Sequence, residues 1–234
     1  QIETVLKEND VGYPLLESTV TIGPHARRRI DFLGIQRDTG LVLGFHEKQS
    51  KRRFNIKECP VVTPEIEALF QPLYNVLSRI LDVGTLIHIF LTQGAEGLDL
   101  LLAGLRTAFS DEHLELLKAF ARENHLQRLA YKVKTRTHLI HQEGDPHIRI
   151  AGHKVPISPF SFLQASNESD RVLSELVLDG IPSGAKRLVD LFCGRGTLSL
   201  PMVVKGLHVH GVECDPHALA ALRTVQAQDL TLED

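Results

Sequence analysis

The sequence predicts an α/β protein in which an α+β subdomain precedes a doubly wound parallel sheet. Residues 187–192 have the apolar pattern of a buried strand and stop at the glycine-rich turn 193–197. A helix and a second strand, residues 209–213, follow this turn, and this β-α-β order is typical of a parallel sheet. The strands and helices further upstream instead follow an α+β order. We therefore expect two domains, residues 1–150 and residues 151–234.

The first domain is expected to open with a polar helix and a β-hairpin. Residues 1–12 carry the polar helix. Residues 29–35 then alternate between polar and apolar side chains, Gly40 marks a turn, and residues 41–45 resume the strand pattern. This pattern of strand, turn and strand predicts an antiparallel pair.

A helix and a second hairpin are expected next. Thr63 stands at the N-cap position of this helix, Pro64 occupies its first position, and Pro72 is expected to kink it. Residues 86–91 and 98–102 flank a glycine-containing turn, which predicts the hairpin.

The remaining helices begin at clear start signals. Ser110 is expected to cap a helix that reaches about Asn124, after which residues 127–151 return to strands. The second domain is expected to start with a helix over residues 166–178 and to include a later helix that begins at Pro216.

The turn after the first strand of the second domain has the features of a nucleotide site. Gly194 and Gly196 let the backbone approach a ligand closely, because glycine has no Cβ and tolerates positive φ. Glu213 lies 23 positions after Asp190, at the end of the next strand, where its carboxylate can accept hydrogen bonds from ribose hydroxyls. Ser199 stands where a dinucleotide fingerprint has its third glycine. The motif therefore favours S-adenosylmethionine, which has a ribose but no pyrophosphate, over NAD, and Asp190, Gly194, Gly196 and Glu213 are expected to bind it.

Four segments of the chain resemble the RNA 5-methyluridine methyltransferases that act on tRNA and ribosomal RNA. Residues 188–201 resemble the cofactor loop of this family, and residues 158–167 resemble its Phe-x-Gln-x-Asn segment, with Ser166 inserted before the asparagine. Residues 44–46 and 59–61 resemble the stretch that closes its first hairpin. The resemblance implies a Rossmann-like class I methyltransferase sheet, S-adenosylmethionine as cofactor, and methylation of uracil C5 in RNA.

The resemblance also implies roles for individual residues. Gln164, Phe192, Thr197 and Glu213 match the residues of the family that contact the cofactor. The family's nucleophilic cysteine and its Asp-Pro-Pro segment match positions beyond Asp234, so no catalytic residue is assigned within the chain. The chain is thus expected to be a fragment that lacks the nucleophile for uracil C6.

The cysteines are expected to be free thiols. Cys59, Cys193 and Cys214 form no Cys-x-x-Cys pair, which favours a reducing, cytoplasmic setting. Cys193 is expected to be a small packing residue rather than a nucleophile. Cys59 matches the last of four cysteines that hold an iron–sulfur cluster in some family members, so a cluster is expected only in a longer parent protein.

The composition is that of a globular protein whose contacts with RNA depend on local basic patches. The formal net charge is −3, and no apolar run is long enough to span a membrane. The expected patches are residues 27–29, residues 51–53, and the basic residues between 132 and 136, which alternate as on one strand face. The pair His208 and His210 has no evident third ligand, so no metal site is expected.

Three functions are compatible with the sequence. The first is methylation of uracil C5 in RNA, with transfer RNA and ribosomal RNA both open as substrates. The second is a class I methyltransferase for a small molecule or a protein, with the first domain as a substrate cap. The third is an RNA-binding module without catalytic activity. The oligomeric state stays open in all three.

Overall fold

The computed structural model describes residues 2–12, 19–46, 53–159 and 161–234. Lys51 and Arg52, which belong to an expected basic patch, lie outside the described residues. Seven helices lie within the described part: α1 (Ile2–Glu8), α2 (Pro64–Ala68), α3 (Phe70–Ile80), α4 (Asp111–Glu123), α5 (Asn167–Gly180), α6 (Ser199–Val204) and α7 (Pro216–Arg223).

Twelve strands in the same part of the chain form three sheets. They are β1 (Arg29–Arg37), β2 (Gly40–His46), β3 (Arg53–Asn55), β4 (Leu86–Gln93), β5 (Leu98–Leu105), β6 (Leu126–Val133), β7 (Arg136–Gln142), β8 (His147–Ile150), β9 (His153–Pro156), β10 (Arg187–Leu191), β11 (His208–Val212) and β12 (Leu230–Glu233).

A seven-stranded sheet in the order β3-β2-β1-β4-β5-β6-β7 forms the N-terminal part of the fold. The two predicted hairpins are confirmed, because β1 pairs antiparallel with β2 and β4 pairs antiparallel with β5. The exception to the antiparallel pattern is the parallel pair β5 and β6, which α4 connects. The region contains this one β-α-β unit within an α+β order, and it is not a β-α-β series, as predicted. Helix α4, 13 residues long, carries the chain back across the sheet, because parallel strands need a crossover of a dozen or more residues.

The helix starts follow the predicted positions, with two differences. The Ser110 side chain accepts a hydrogen bond from the backbone N–H of His113, so the predicted cap of α4 is confirmed. Thr63 has the extended conformation of an N-cap residue, but its side chain makes no capping bond. The helix that was expected to kink at Pro72 is interrupted at Leu69, between α2 and α3. Pro72 has no N–H to donate to the carbonyl four residues earlier, so the helix is weakened one turn before the proline.

Helices α2, α3 and α4 pack on the seven-stranded sheet and enclose the larger hydrophobic core. Their apolar stripes recur at helical spacing, as with Leu73 and Leu77 in α3 and Leu117 in α4, all fully buried. Ile89 and Leu100 cover the facing side of the sheet and are equally buried. None of the helices in the described part of the chain combines the length and apolar character needed to cross a membrane.

The parallel sheet β10-β11-β12 forms the C-terminal part of the fold, with α6 and α7 between its strands. This β-α-β-α-β order confirms the predicted α/β class. The expectation that β10 is a buried central strand is wrong for the described chain. Here β10 is an edge strand, and Val189 and Leu191 are 64% and 63% exposed. Alternate side chains of a strand point to opposite faces, and only one face of this strand is covered.

The hairpin β8–β9 packs with the parallel sheet rather than with the large one. Ile148, Ile150 and Val155 share a second hydrophobic cluster with Leu200 and Leu222. The division expected after residue 150 falls within this hairpin and stays a proposal; the packing favours a division before β8.

A buried ion pair fixes the register of β5 and β6. Arg128 stands opposite Asp99, and its guanidinium donates to both carboxylate oxygens at 2.8 and 2.6 Å. It also donates to the carbonyl oxygen of Ile157, 3.2 Å away. Both side chains are less than a tenth exposed, so each charge depends on the other for compensation.

We predict that Asp99→Ala lowers the free energy of unfolding by about 3–5 kcal/mol, because it leaves the buried guanidinium of Arg128 uncompensated. Urea unfolding followed by circular dichroism measures this loss. The matched control is Glu115→Ala, which breaks an exposed pair with Lys118 and is expected to leave the free energy of unfolding almost unchanged. Equal losses in the two variants would contradict the argument from burial.

Candidate functional site

A cleft of about 280 Å³ lies where the turn after β10 meets the segment between β9 and α5. Three elements meet there: the turn itself, the end of β11 with the start of α7, and the chain before α5. The residues that line it are Phe162, Leu163, Gln164, Cys193, Gly194, Arg195, Thr197, Glu213, Asp215 and Ala218.

Four of the seven residues that the sequence predicts to bind cofactor line this cleft: Gln164, Gly194, Thr197 and Glu213. They come from three separate segments of the chain. Asp190, Phe192 and Gly196 do not line it. The fold thus brings together four predicted residues and gives the other three different surroundings.

Glu213 organises the turn through both carboxylate oxygens. Its Oε1 accepts a hydrogen bond from the backbone N–H of Asp215, and its Oε2 accepts one from the backbone N–H of Gly194, each at 2.8 Å. These two hydrogen bonds hold the pKa of Glu213 below its ordinary value, although burial alone would raise it. The bond from Asp215 has the larger effect and the bond from Gly194 the smaller one. Each oxygen has a further lone pair, so the ionised carboxylate can still accept hydrogen bonds from a ligand.

The two glycines of the turn have different tasks. Gly194 has a φ of +56° and lies against the Glu213 carboxylate in the cleft. Gly196 has a φ of +84°, and a Cβ there would lie 2.8 Å from Leu222 and 3.0 Å from Leu200. Gly196 therefore serves the packing of the turn against α6 and α7, while Gly194 allows the backbone to face a ligand.

Asp190 and Phe192 flank the turn without reaching into the cleft. Asp190 accepts a hydrogen bond of 2.6 Å from the hydroxyl of Ser199, the first residue of α6. Phe192 has a φ of +62° and is 84% exposed. A left-handed conformation is costly for a non-glycine residue, and such strain is characteristic of functional segments. The cofactor roles of both residues stay predictions.

Gln164 reaches the cleft on a segment that two hydrogen-bonded ends hold in place. At one end, Ser166 caps α5, because its hydroxyl accepts a bond of 3.0 Å from the backbone N–H of Ser169. The residue inserted before Asn167 in the family pattern is therefore the helix cap. At the other end, the Arg195 guanidinium donates to the hydroxyl of Ser161 at 2.7 Å and to the carbonyl oxygen of Pro156 at 2.6 Å.

Sequence reasoning missed Arg195, Leu163 and Ala218 as residues of the site. Arg195 is only 5% exposed, although an arginine in a glycine-rich turn is ordinarily solvated. Its position between two glycines was the one available signal. Leu163 and Ala218 form an apolar wall, and nothing in their sequence context distinguishes them from core residues.

The structure places the basic residues expected to contact RNA differently from the sequence prediction. Arg28 is 2% exposed and is bound within the protein, so it is not available to phosphate. Lys132 is the next-to-last residue of β6, Lys134 lies in the turn with a φ of +52°, and Arg136 begins β7. The expectation that these residues share one strand face is wrong: they surround a hairpin tip, where the positive φ of Lys134 turns the chain.

The open face of the parallel sheet carries two histidine–carboxylate pairs. His208 Nδ1 lies 2.6 Å from Asp229, and His210 Nε2 lies 2.9 Å from Glu233. Each histidine is therefore engaged by a neighbouring strand.

The chain is similar in sequence to several curated bacterial proteins. It is 36% identical over 203 residues to an uncharacterized RNA methyltransferase of Brucella melitensis. The matched region covers 87% of this chain and 47% of the relative. It is 30% identical over 206 residues to the 23S rRNA (uracil(1939)-C(5))-methyltransferase RlmD of Vibrio parahaemolyticus. This matched region covers 87% of this chain and 46% of that protein. The chain thus spans about half the length of these relatives. No family model matches the chain.

A solved structure shares the fold. The tRNA (uracil-54, C5)-methyltransferase of Pyrococcus abyssi, in complex with S-adenosyl-L-homocysteine, superposes with a TM-score of 0.73 at 18% sequence identity. The match covers 99% of this chain and 60% of that protein. It confirms the predicted class I methyltransferase fold with a preceding α+β region.

Cys193 lines the cleft but is buried against Leu200 and Leu222, which confirms its predicted packing role. Burial, with the nearby charges of Asp190 and Glu213, raises the pKa of its thiol to about 11. The thiol is therefore neutral at any pH well below that value, and only the thiolate is a good nucleophile.

We predict that iodoacetamide at pH 8 labels the exposed Cys214 much faster than Cys193 in the native protein, because at this pH only roughly one Cys193 in a thousand is ionised. Mass spectrometry of timed digests measures both rates. In urea the two rates should become similar. Native labelling of Cys193 as fast as that of Cys214 would rule out the raised pKa.

Proposed function

We propose that this chain belongs to the family of RNA 5-methyluridine methyltransferases and provides the S-adenosylmethionine-binding part of an enzyme that methylates C5 of uracil in RNA. The observation that carries this proposal is the cleft in which the carboxylate of Glu213, the backbone of Gly194 and the side chains of Gln164 and Thr197 meet. These are the residues that the family resemblance assigns to the cofactor.

The donor and acceptor groups of the cleft fit the cofactor. Glu213 remains ionised at neutral pH because its pKa is lowered, and a carboxylate is a suitable acceptor for the two hydroxyls of a ribose. Leu163 and Ala218 offer apolar surface for the adenine ring. The amide of Gln164 and the hydroxyl of Thr197 can each donate and accept, which suits the polar amino-acid end of the cofactor.

When bound, S-adenosylmethionine supplies an electrophilic methyl group on its sulfonium. The residues of this chain bind and orient the cofactor, and they form the wall on the ribose side. Uracil C5 is a weak nucleophile and needs a thiolate at C6 for activation. Cys193, whose pKa is raised to about 11, is unsuited to that role, and Cys59 packs beside the core of the larger sheet. We therefore assign the nucleophile to none of these residues.

Ribosomal RNA is the substrate that the sequence relatives favour. The Vibrio parahaemolyticus relative, at 30% identity, is named for 23S rRNA, whereas the tRNA enzyme of Pyrococcus abyssi shares 18% identity and supports the fold alone. The hairpin tip around Lys134 and the exposed Arg27 are the basic groups proposed to contact phosphates.

We predict that Glu213→Ala in the full-length protein weakens binding of S-adenosylhomocysteine by roughly ten- to a hundredfold. A hydrogen bond to a charged group is worth about 1.5–3 kcal/mol. Isothermal titration calorimetry measures the affinity. Glu233→Ala is the control, because Glu233 belongs to the same sheet but pairs with His210 outside the cleft. Unchanged affinity in the Glu213 variant would remove this residue from the cofactor site.

We also predict that the full-length protein transfers tritiated methyl groups from S-adenosylmethionine to unmodified 23S rRNA and not to unmodified tRNA. Digestion to nucleosides identifies the product as 5-methyluridine. Cys214→Ser should retain the activity, since its side chain does not line the cleft. Label in tRNA alone would overturn the choice of substrate, and loss of activity in the Cys214 variant would overturn the assignment of the nucleophile elsewhere.

A further inference from the structure

Arg28 joins the large sheet to the segment that carries Gln164. Its Nε donates to the carbonyl oxygen of Gln164 at 3.1 Å, and its Nη1 donates to the side-chain oxygen of Asn167. Its Nη2 forms an ion pair of 2.6 Å with Asp170 in α5. The backbone N–H of Arg28 donates to the carbonyl oxygen of Ala165 at 2.8 Å. One residue thus makes four hydrogen bonds to the seven-residue stretch 164–170.

These bonds are formed out of contact with solvent. The side chain of Arg28 is 3% exposed and that of Asp170 is 14% exposed. Burial raises the pKa of Asp170, and the charge of Arg28 opposes this shift. Asp170 Oδ1 has no hydrogen-bond partner among the described residues, so the stability of this carboxylate depends on Arg28.

The neighbouring contacts extend the same arrangement toward the cleft. Arg29 donates to the carbonyl oxygen of Leu163 at 2.9 Å. In α5, the hydroxyl of Ser174 lies 2.7 Å from the carbonyl oxygen of Asp170 and 3.0 Å from that of Thr197. Arg28 is therefore connected to the cleft by the main chain of the Gln164 segment and by helix α5, which contacts the glycine-rich turn.

The anchor of Arg28 itself lies in the large sheet. Its carbonyl oxygen accepts a bond of 2.7 Å from the backbone N–H of Gln93 at the end of β4, and the next residue begins β1. The position of the guanidinium is thus set by the rigid N-terminal sheet, while the groups it binds belong to the C-terminal part.

We propose that Arg28 is a positioning residue for the cofactor cleft: it holds the main chain at Gln164 so that the amide side chain faces the glycine-rich turn. This proposal rests on the proposed function for the identity of the ligand. It does not require Arg28 to touch the cofactor, and Arg28 does not line the cleft. The large sheet, beyond any contact with RNA, then serves to set the geometry of the cofactor site.

The test compares Arg28→Lys with Gln164→Ala and with the double variant in the full-length protein. Lysine keeps a positive charge beside Asp170 but loses the planar fork that binds three partners together. Arg28→Ala is avoided, because it would leave Asp170 buried without compensation. The control is Arg37→Ala, since Arg37 is the exposed last residue of β1.

The first measurement is the affinity for S-adenosylhomocysteine by calorimetry. Arg28→Lys and Gln164→Ala are each expected to weaken binding by roughly tenfold, the worth of one hydrogen bond. The double variant is expected to bind no more weakly than Gln164→Ala alone, because Arg28 acts through Gln164. A purely structural role for Arg28 gives losses that multiply, and that result would overturn the proposal.

The second measurement is hydrogen–deuterium exchange without cofactor. The amide of Arg28 bonds to Ala165, so Arg28→Lys is expected to speed exchange in peptides that cover residues 27–30 and 161–171, and Arg37→Ala is not. Unchanged exchange in Arg28→Lys would overturn the proposal. If the wild type binds no S-adenosylhomocysteine, the proposed function is wrong. The exchange rates alone then test whether Arg28 positions the Gln164 segment.

Discussion

A buried guanidinium is stable only when its donors meet matching acceptors, and Arg28 finds all of its side-chain acceptors in a part of the chain more than 130 positions away. This requirement fixes how the N-terminal sheet meets α5 and the segment before it. The geometry of the cofactor cleft depends on that contact, because Gln164 belongs to the segment that Arg28 holds. Arg128 and Arg195 use the same principle nearby: one bonds the carbonyl oxygen of Ile157 and the other that of Pro156.

The carboxylate of Glu213 holds the elements of the cleft together, just as the guanidinium of Arg28 holds the large sheet to α5 and the segment before it. Glu213 accepts the backbone N–H groups of Gly194 and Asp215, so the turn and the start of α7 are held before any ligand arrives. A site whose acceptors are already oriented loses less entropy on binding. The same bonds lower the pKa of Glu213, so the carboxylate remains ionised at neutral pH. The order of the turn and the acceptors that the candidate cleft offers therefore depend on the same two oxygens.

The parallel sheet is covered unevenly within the described chain. Helices α6 and α7 and the hairpin β8–β9 pack on one side, where Cys193 and Leu222 are buried. On the other side Val189 and Leu191 of β10 are exposed, and Phe192 extends beyond them. An exposed apolar edge of this kind is unusual for a soluble sheet. The chain spans about half the length of its curated relatives, and the exposed surface adjoins the cofactor turn.

Local patterns in the sequence determined the class of the fold and four of the ten residues that line the candidate cleft. The glycine-rich turn after an apolar run and the acidic residue at the end of the next strand have short-range causes, a positive φ and a strand end, so Gly194 and Glu213 could be found without coordinates. Only the tertiary structure decided that β6 pairs parallel with β5, that β10 is an edge strand, and that Arg28 is buried. Each of these features depends on residues far away in the sequence. Helix α4 must cross the sheet for β6 to pair parallel with β5, and a second neighbouring strand must be present for β10 not to be an edge strand. Asp170 must lie opposite Arg28 for that guanidinium to be buried. Such pairings leave no periodic trace in the residues themselves, and arginine in a basic run gives no sign of whether water or a carboxylate will surround it.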